Sequence, residues 1–413
     1  MKAEGIKRGE QLLAGGAKFA RLPGMFARLL APGFQKILDR IDAGFERGSL
    51  LGHLPDGSTR LLGGRKPGFK AEVHLHDWRA LLRLATSGSI GWYQAWEAGE
   101  WDSPDLVPVF GLFADNGAAL GQIGRSKGPF RVAARLAHRF NRNSKAGARR
   151  NIQAHYDLGN DFYRQWLDPT MTYSSARLDG IEDLEAAQRA KWRTLAERIG
   201  EPDTVLEIGC GWGSLADFLQ HRGSQVTAIS LSDEQLAWAR ERQHGGIEFR
   251  KQDYRDVSGQ FDAIVSVEMV EALGREYWPT FMDCVARNLK PGGRAAIQYI
   301  SMQDELFDDY TASADFIQAY IFPGGLLIRT SEFRRLAEER GLNWQDQADF
   351  GQDYAATLHA WRERFDCAVD DGRLPEGFDD RFVNLWRFYL DYCEGGFRGG
   401  LIDVHQVTLV KGE

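Results

Sequence analysis

The carboxy-terminal part of this 413-residue chain predicts an α/β fold with a doubly wound, mostly parallel sheet, joined to a smaller α+β amino-terminal domain. Three observations carry that reading. From Thr204 onward, short β-branched runs alternate with helical stretches, which is the pattern of βαβ units. A glycine turn, Gly209-Cys-Gly-Trp-Gly213, stands between the first of those runs and the next helix. The length also exceeds one ordinary core, because domains cluster around 100 to 200 residues. The expected division is an amino-terminal domain over 1–120, a basic linker over 121–150 and a catalytic-type domain over 151–413.

The front opens with short basic amphipathic segments: Met25, Phe26, Leu29 and Leu30, then Phe34, Ile37, Leu38 and Ile41, with Arg28, Lys36 and Arg40 between them. Such a pair can lie on a phospholipid surface with its apolar stripe among the headgroups, or pack on its own domain. Short strands are expected over 57–62 and 69–75, a helix over 77–86 and a further stretch over 92–96, then a turn-rich segment over 99–104. Between Gly121 and Arg150 there are nine Lys and Arg and no Asp or Glu, which predicts a tether with a helical piece over 130–140.

Composition narrows the classes. The chain is 43% apolar and 26% charged and lacks any apolar run near 18 residues, which excludes an integral helical membrane protein. No apolar block opens it, so a cytosolic location is expected, peripheral at the inner face of the membrane. Cys210, Cys284, Cys367 and Cys393 are scattered without CxxC or Cys/His ligand spacing, against a disulfide scaffold and against a metal site. Residues 1–150 hold 24 Lys and Arg against 13 Asp and Glu, a net of +11, while the remainder carries −18. A basic front suggests an anionic polymer or an anionic membrane surface as partner, the membrane being the expected one. No recognised nucleic-acid motif accompanies it, and nucleic acid is not an expected partner.

In the back half, Thr204–Ile208 reads as the first strand and 214–220 as its helix. Strands follow at 225–231, 247–250, 261–267, 294–300 and 404–410. The turn is GxGxG, with Ser214 where a dinucleotide site has its last glycine; this disfavours NAD and favours S-adenosylmethionine. Ligands of such sheets sit beyond the strand carboxyl ends, where 230–232, 252–254, 268–271 and 298–301 fall.

These residues resemble the cyclopropane-fatty-acyl-phospholipid synthases and their mycolic acid relatives. The likeness rests on Ala154-His-Tyr-Asp-Leu-Gly-Asn-Asp-Phe-Tyr163, Met171-Thr-Tyr-Ser174, the turn from Glu207 to Gly213, Leu231-Ser-Asp-Glu-Gln235, Gln252-Asp-Tyr-Arg255, Glu268-Met-Val-Glu-Ala-Leu-Gly274, 316–326 and Phe397-Arg-Gly-Gly400. It implies a class I methyltransferase fold and a methyl transfer from S-adenosylmethionine to a cis double bond of a phospholipid acyl chain. Cyclopropanation is the leading expected outcome, with a methyl-branched or methylene-bearing chain second. A non-catalytic lipid-binding protein and a methyltransferase for another substrate are the remaining alternatives. A homodimer is an expectation of the same resemblance.

By resemblance, the cofactor's methionine part meets Tyr173, Ser174, Gly209 and Gly211, with Glu207 and Gly213 completing the turn; its ribose meets Ser230, Leu231, Ser232 and Gln235, and its adenine Asp253 and Tyr254. A water-free, aromatic-lined site suits a carbocation. Phe162, Tyr163, Trp166, Tyr299, Tyr320, Phe322, Tyr354 and Trp361 are candidates, Tyr320 and Tyr354 foremost. The family removes the last proton with a bicarbonate held by a cysteine, a glutamate, a histidine and a tyrosine. Glu271 and Tyr354 match that pattern, Ser175 and Gln298 depart from it, and Ile300 joins the catalytic set beside Gln298. The departures put bicarbonate in doubt, because neither serine nor glutamine titrates near neutral pH.

Overall fold

A computed structural model of the chain describes residues 8–17, 31–120, 158–242 and 245–413. It divides into two compact units, one of residues 1–141, 305–323 and 376–402, the other of 142–304, 324–375 and 403–413. The expected segments over 25–30 and 121–150 lie outside the described residues.

The first unit holds a four-stranded sheet of β1 (Ser49–His53), β2 (Thr59–Gly63), β3 (Lys70–Leu75) and β4 (Trp101–Asp102), in the order β2-β1-β3-β4. β1 has no clear signal in the sequence, because its apolar Leu50 and Leu51 sit next to two glycines and a histidine that break alternation. The stripe of the Ala31–Gly44 helix faces inward: Phe34, Leu38 and Ile41 are buried, and Phe34 stacks on Trp78 at 5.5 Å. Of the two readings of 34–41, packing on its own domain is the one the structure has. A four-stranded sheet cannot cover its own apolar face, and this helix supplies the cover.

The Asp380–Arg398 helix packs on the Leu106–Asp115 helix in the first unit. Glycines make the approach close. A Cβ at Gly395 would stand 2.4 Å from Phe110 Cβ, and one at Gly399 would stand 2.5 Å from the Gly111 carbonyl. Arg381 pairs with Glu97 at 2.7 Å across the same unit.

The second unit is built on a seven-stranded sheet: β5 (Thr204–Ile208), β6 (Gln225–Ser230), β7 (Ile247–Lys251), β8 (Phe261–Val267), β9 (Leu289–Met302), β10 (Leu342–Asp349) and β11 (Ile402–Lys411), ordered β10-β11-β9-β8-β5-β6-β7. β7, β6, β5, β8 and β9 run parallel to one another, and β10 pairs antiparallel with β11. Val205, Val226, Ala263, Val265 and Ala296 of the central strands are buried against Leu195, Leu215, Leu219 and Leu236 of the flanking helices. The order reverses between β5 and β8. Chain leaving β5 winds one way to β6 and β7 and later returns to β8 and β9, so the loops after β5 and β8 diverge and leave a crevice at their carboxyl ends.

Candidate active site at the sheet's switch point

The turn after β5 is shaped by glycine. Gly209, Gly211 and Gly213 have φ of +85°, +52° and +87°, a region that side chains rarely adopt. The Gly209 and Cys210 amides both donate to the Ile229 carbonyl at 3.0 Å, which pins the turn to β6. A Cβ on Gly211 would meet nothing within 4 Å, so this corner faces open space. Beneath it, the buried Glu207 carboxylate has one oxygen, Oε2, without a hydrogen-bond partner. Burial pushes its pKa up to about 8, against the lowering effect of the Ala216 amide. An unpartnered buried carboxylate is a costly feature that a bound cationic group relieves.

The next two strand ends are wired as turns. Ser230 Oγ donates to Gln235 Oε1 at 3.2 Å and accepts from the Ser232 amide at 3.2 Å, and Ser232 Oγ accepts from the Gln235 amide at 3.3 Å. Leu231 lies between them at the strand end. After β7, Asp253 accepts from the Arg255 amide at 3.0 Å and from the Arg255 guanidinium at 2.8 and 2.6 Å. Tyr254 is buried against Phe281 at 5.9 Å, and its hydroxyl has no hydrogen-bond partner. Asp253 and Tyr254 thus share a loop, with the Asp253 carboxylate turned toward Arg255.

The end of β8 carries the densest polar cluster. Glu268, at φ +47°, offers one carboxylate that accepts from the Ser175 amide at 2.9 Å, the Gln298 amide nitrogen at 2.7 Å and the Tyr354 hydroxyl at 2.8 Å. Three of the residues expected in the catalytic set therefore converge on Glu268. Ser175 contributes its backbone N–H, while its own hydroxyl donates to the Ala176 carbonyl at 3.0 Å. Gln298 is held from behind, its Oε1 accepting from Gln406 at 3.0 Å, and Gln406 accepts in turn from Thr194 at 3.0 Å. The Gly351–Asp370 helix fixes Tyr354, and its Asp353 and Thr357 accept from the Leu178 and Ala176 amides at 2.9 and 3.1 Å.

Glu271 sits one turn further on. Its Oε1 accepts from the Ile300 amide and its Oε2 has no partner. Burial first, then the nearby Glu268 charge, push its pKa up to about 8. Glu268 is also raised by burial, but Lys191, Gln298, the Ser175 amide and Tyr354 all oppose that rise. Lys191 is fully buried, its ammonium 2.6 Å from the Ser174 hydroxyl, and desolvation lowers its pKa to about 8. The cluster thus keeps one carboxylate beside a cation and three donors, and a second beside a backbone amide and a like charge. For Glu268 the cation and donors work against the effect of burial, whereas for Glu271 burial and the neighbouring carboxylate act in the same direction.

Aromatic rings wall the same unit. Tyr173 lies 5.6, 5.4 and 5.3 Å from Tyr163, Trp166 and Trp361, and Phe162 packs on Trp166 at 5.9 Å. Tyr299 packs instead on Phe333 at 4.6 Å and donates to or accepts from Thr330 at 3.1 Å. Tyr320 and Phe322 belong to the first unit. There Tyr320 packs edge-on to Tyr93 at 4.6 Å and its hydroxyl accepts from Gln94 at 3.2 Å, with burial pushing its pKa up to about 12.

Glu268, Lys191 and Gln406 are members of this cluster that the sequence does not single out. Glu268 is visible there only as the first letter of a motif, and its positive φ at a strand end gives no sequence signal. Lys191 lies on an ordinary-looking helix, Leu184–Ile199, whose buried face it shares.

A family profile described as mycolic acid cyclopropane synthetase matches residues 143–407. Among curated proteins, the tuberculostearic acid methyltransferase UfaA1 of Mycobacterium tuberculosis is 38% identical over 346 residues, covering 80% of each chain. The cyclopropane-fatty-acyl-phospholipid synthase of Escherichia coli is 35% identical over 347 residues, 83% of this chain and 88% of that one. Among solved structures, the mycolic acid cyclopropane synthase CmaA1 complexed with SAH and CTAB superposes with a TM-score of 0.59 at 27% identity, over 64% of this chain and 98% of that one.

Proposed function

The chain belongs to the mycolic acid cyclopropane synthetase family, and from that premise we propose that its catalytic base is Glu268 and that its product is a methyl-branched or methylene-bearing acyl chain. It is an S-adenosylmethionine-dependent methyltransferase acting on unsaturated acyl chains, with a class I fold. The observation that carries the proposal is the Glu268 carboxylate seated on the Ser175 amide, the Gln298 amide and the Tyr354 hydroxyl.

When bound, S-adenosylmethionine supplies an electrophilic methyl group on a sulfonium. The residues at the strand ends fit it. Glu207, with its unpartnered oxygen, suits the methionine ammonium, and the open corner at Gly211 leaves room for the carboxylate. Ser230 and Gln235 suit the ribose hydroxyls, and Tyr254 offers a buried aromatic face to adenine. Bicarbonate does not fit: the donors at 175, 298 and 354 already serve Glu268, and a second anion would stand against a like charge without a free donor.

Methyl addition to the double bond leaves a positive charge on the adjacent carbon. Tyr163, Trp166, Tyr173 and Trp361 keep water away and present ring faces to it. Glu268 accepts the proton that the cation then loses, and its pair of C–H electrons closes either a carbon–carbon double bond or a ring. Glu268 is tethered to the end of β8, so its reach is fixed. Proton loss from the added methyl after a 1,2-hydride shift gives the methylene-bearing chain, and the relative named as a tuberculostearic acid methyltransferase supports methylation over ring closure. Lys191 holds the Glu268 charge, and Tyr354 and Gln298 position it.

The relative named as a phospholipid synthase supports a phospholipid as the source of the acyl chain, and the net +11 of residues 1–150 supports an anionic membrane surface as partner. No helix of the described residues is long and apolar enough to cross a membrane. The test is mass spectrometry of lipids from cells with and without the protein. A gain of one methylene in mass, with fragmentation reporting a methyl branch beside a double bond or a C=CH2 branch, is expected; a ring overturns the product assignment. Loss of the gain in Glu271→Gln but not in Glu268→Gln would move the base to Glu271.

A further inference from the structure

The first unit carries a row of histidines and carboxylates that the methyl transfer does not use. Strand register builds it. β1 and β3 run parallel with His53 opposite His74, and β3 and β4 run antiparallel with His74 opposite Asp102. Glu72 and His74 are two residues apart and so share a face of β3, while Ala71, Val73 and Leu75 point the other way and are buried. Three strands therefore deliver His53, Glu72, His74 and Asp102 to one patch of the sheet's polar face.

We propose that His53, Glu72 and His74 form a binding site for a divalent transition-metal ion of the zinc class. His53 Nε2 and His74 Nε2 lie 2.9 and 3.0 Å from the same Glu72 oxygen, and the ligand atoms all fall within 4.8 Å of one another. Zinc bonds of about 2.0–2.2 Å at tetrahedral angles set neighbouring ligand atoms about 3.3–3.5 Å apart. The observed spacing needs only a small side-chain opening to admit the ion.

The surrounding shell has the features a metal-bound imidazole requires. His74 directs its other nitrogen, Nδ1, to Asp102 Oδ1 at 2.9 Å, which fixes the ring with Nε2 toward Glu72. Asp102 is itself held at its second oxygen by His76 at 2.7 Å. This carboxylate–histidine–metal arrangement orients a ligand and raises its basicity. Two imidazoles and one carboxylate favour zinc, cobalt or nickel over calcium and magnesium, which seek more oxygen ligands. The side chains are 35–43% exposed, so an ion reaches them from solvent and keeps a coordination position open on that side.

The experiment uses the full chain without an affinity tag, stripped of metal and titrated with zinc by calorimetry, with cobalt(II) as a visible-absorption probe. About one high-affinity ion per chain, a raised Tm on adding zinc, and a cobalt band of low coordination number are expected. Both His53→Ala and His74→Ala should abolish that binding step, and Asp102→Asn should weaken it about 10- to 100-fold. His53→Gln keeps a hydrogen bond to Glu72, so loss of zinc in that variant at an unchanged metal-free Tm separates a lost ligand from a damaged fold. No zinc binding at about 100 μM overturns the proposal, since such a site would then hold nothing at any useful concentration. So does a step that survives in both alanine variants, which would assign the ion elsewhere, for instance to Asp349, Asp403 and His405 of the second unit.

Discussion

Glu72 and Glu268 are both strand-associated carboxylates that accept hydrogen bonds from several partners, yet their acidities move in opposite directions. Glu72, on an open sheet face, is held below the usual carboxylate range by His74 and then His53. Glu268, at the end of a buried parallel strand, is pushed up by burial although Lys191 and three hydrogen-bond donors all pull it down. Asp102 and Glu271 repeat the contrast: Asp102 is lowered overall, its histidines outweighing desolvation, and Glu271 is raised to about 8. Hydrogen bonds of similar length therefore set acidity only where water still solvates the group. Once water is removed, the desolvation of the charge outweighs them. A carboxylate meant to remove a proton belongs in the second setting, and one meant to hold a cation belongs in the first.

The contrast can be broken most directly at Glu268. Glu268→Gln keeps the shape and removes the charge, so turnover should fall about 100- to 10,000-fold, the usual range for a lost general base. S-adenosylmethionine binding, read by calorimetry, should stay nearly unchanged. If turnover persists within a few-fold, Glu268 is only a structural acceptor. In Glu268→Gly, whose positive φ suits glycine, added formate or acetate should restore part of the rate through the vacated donors.

Glu207 sharpens the comparison through pH. Its folded pKa of about 8 lies above the ordinary 4.5, so the native state holds this proton more tightly than the unfolded chain does. The stability it contributes is full below about pH 4.5 and is lost as pH rises toward 8. Glu207→Gln should therefore raise the Tm of the cofactor-free protein at pH 8 and change it little at pH 4.5. Glu271 shifts the same way, so some slope with pH will remain. A variant that melts lower than the parent at pH 8 would show that Glu207 has an ionic partner in the free protein. The same change should weaken S-adenosylmethionine about tenfold, as expected on losing one charge-assisted contact.

Tyr354→Phe deletes one of the three donors to Glu268 and should cost about tenfold in turnover, roughly one charge-assisted hydrogen bond, with little change in KM. Its pH–rate profile should shift its acidic limb upward, because Glu268 becomes easier to protonate. The smallest effect belongs to Ser175→Cys. Only the backbone N–H of residue 175 touches Glu268, so the rate should change less than about threefold. A large change would mean that the side chain, not the amide, meets the reacting atoms.

Much of the second unit is legible in the amino-acid sequence. The GxGxG turn, the strand starting at Phe261 and the late strand ending near Val410 follow from β-branched runs bounded by glycine, because local propensity and burial agree there. β10 is not, since Leu342–Asp349 alternates exposed polar residues with few apolar ones and is a strand only because β11 pairs with it. The Asp380–Arg398 helix has a helical pattern of its own, but its place in the first unit depends on glycines at 395 and 399 meeting a helix that lies far earlier in the sequence.

By itself the sequence determined the family, the cofactor turn and the identity of the residues that depart from the family's pattern at 175 and 298, because these are carried by contiguous motifs and single side chains. Only the tertiary structure decided what those departures do. Ser175, Gln298 and Tyr354 come from three distant segments, and that they meet on Glu268 follows from the parallel pairing of β8 with β9 and the docking of the Gly351–Asp370 helix. The histidine row obeys the same rule. His53 and His74 have no ligand spacing along the chain, and the parallel register of β1 with β3 sets them side by side. Spacing along a chain reports chemistry only within one element. Across elements, hydrogen-bonded register and packing choose the neighbours, and of two equally buried carboxylates the one given a cation and side-chain donors is the more acidic.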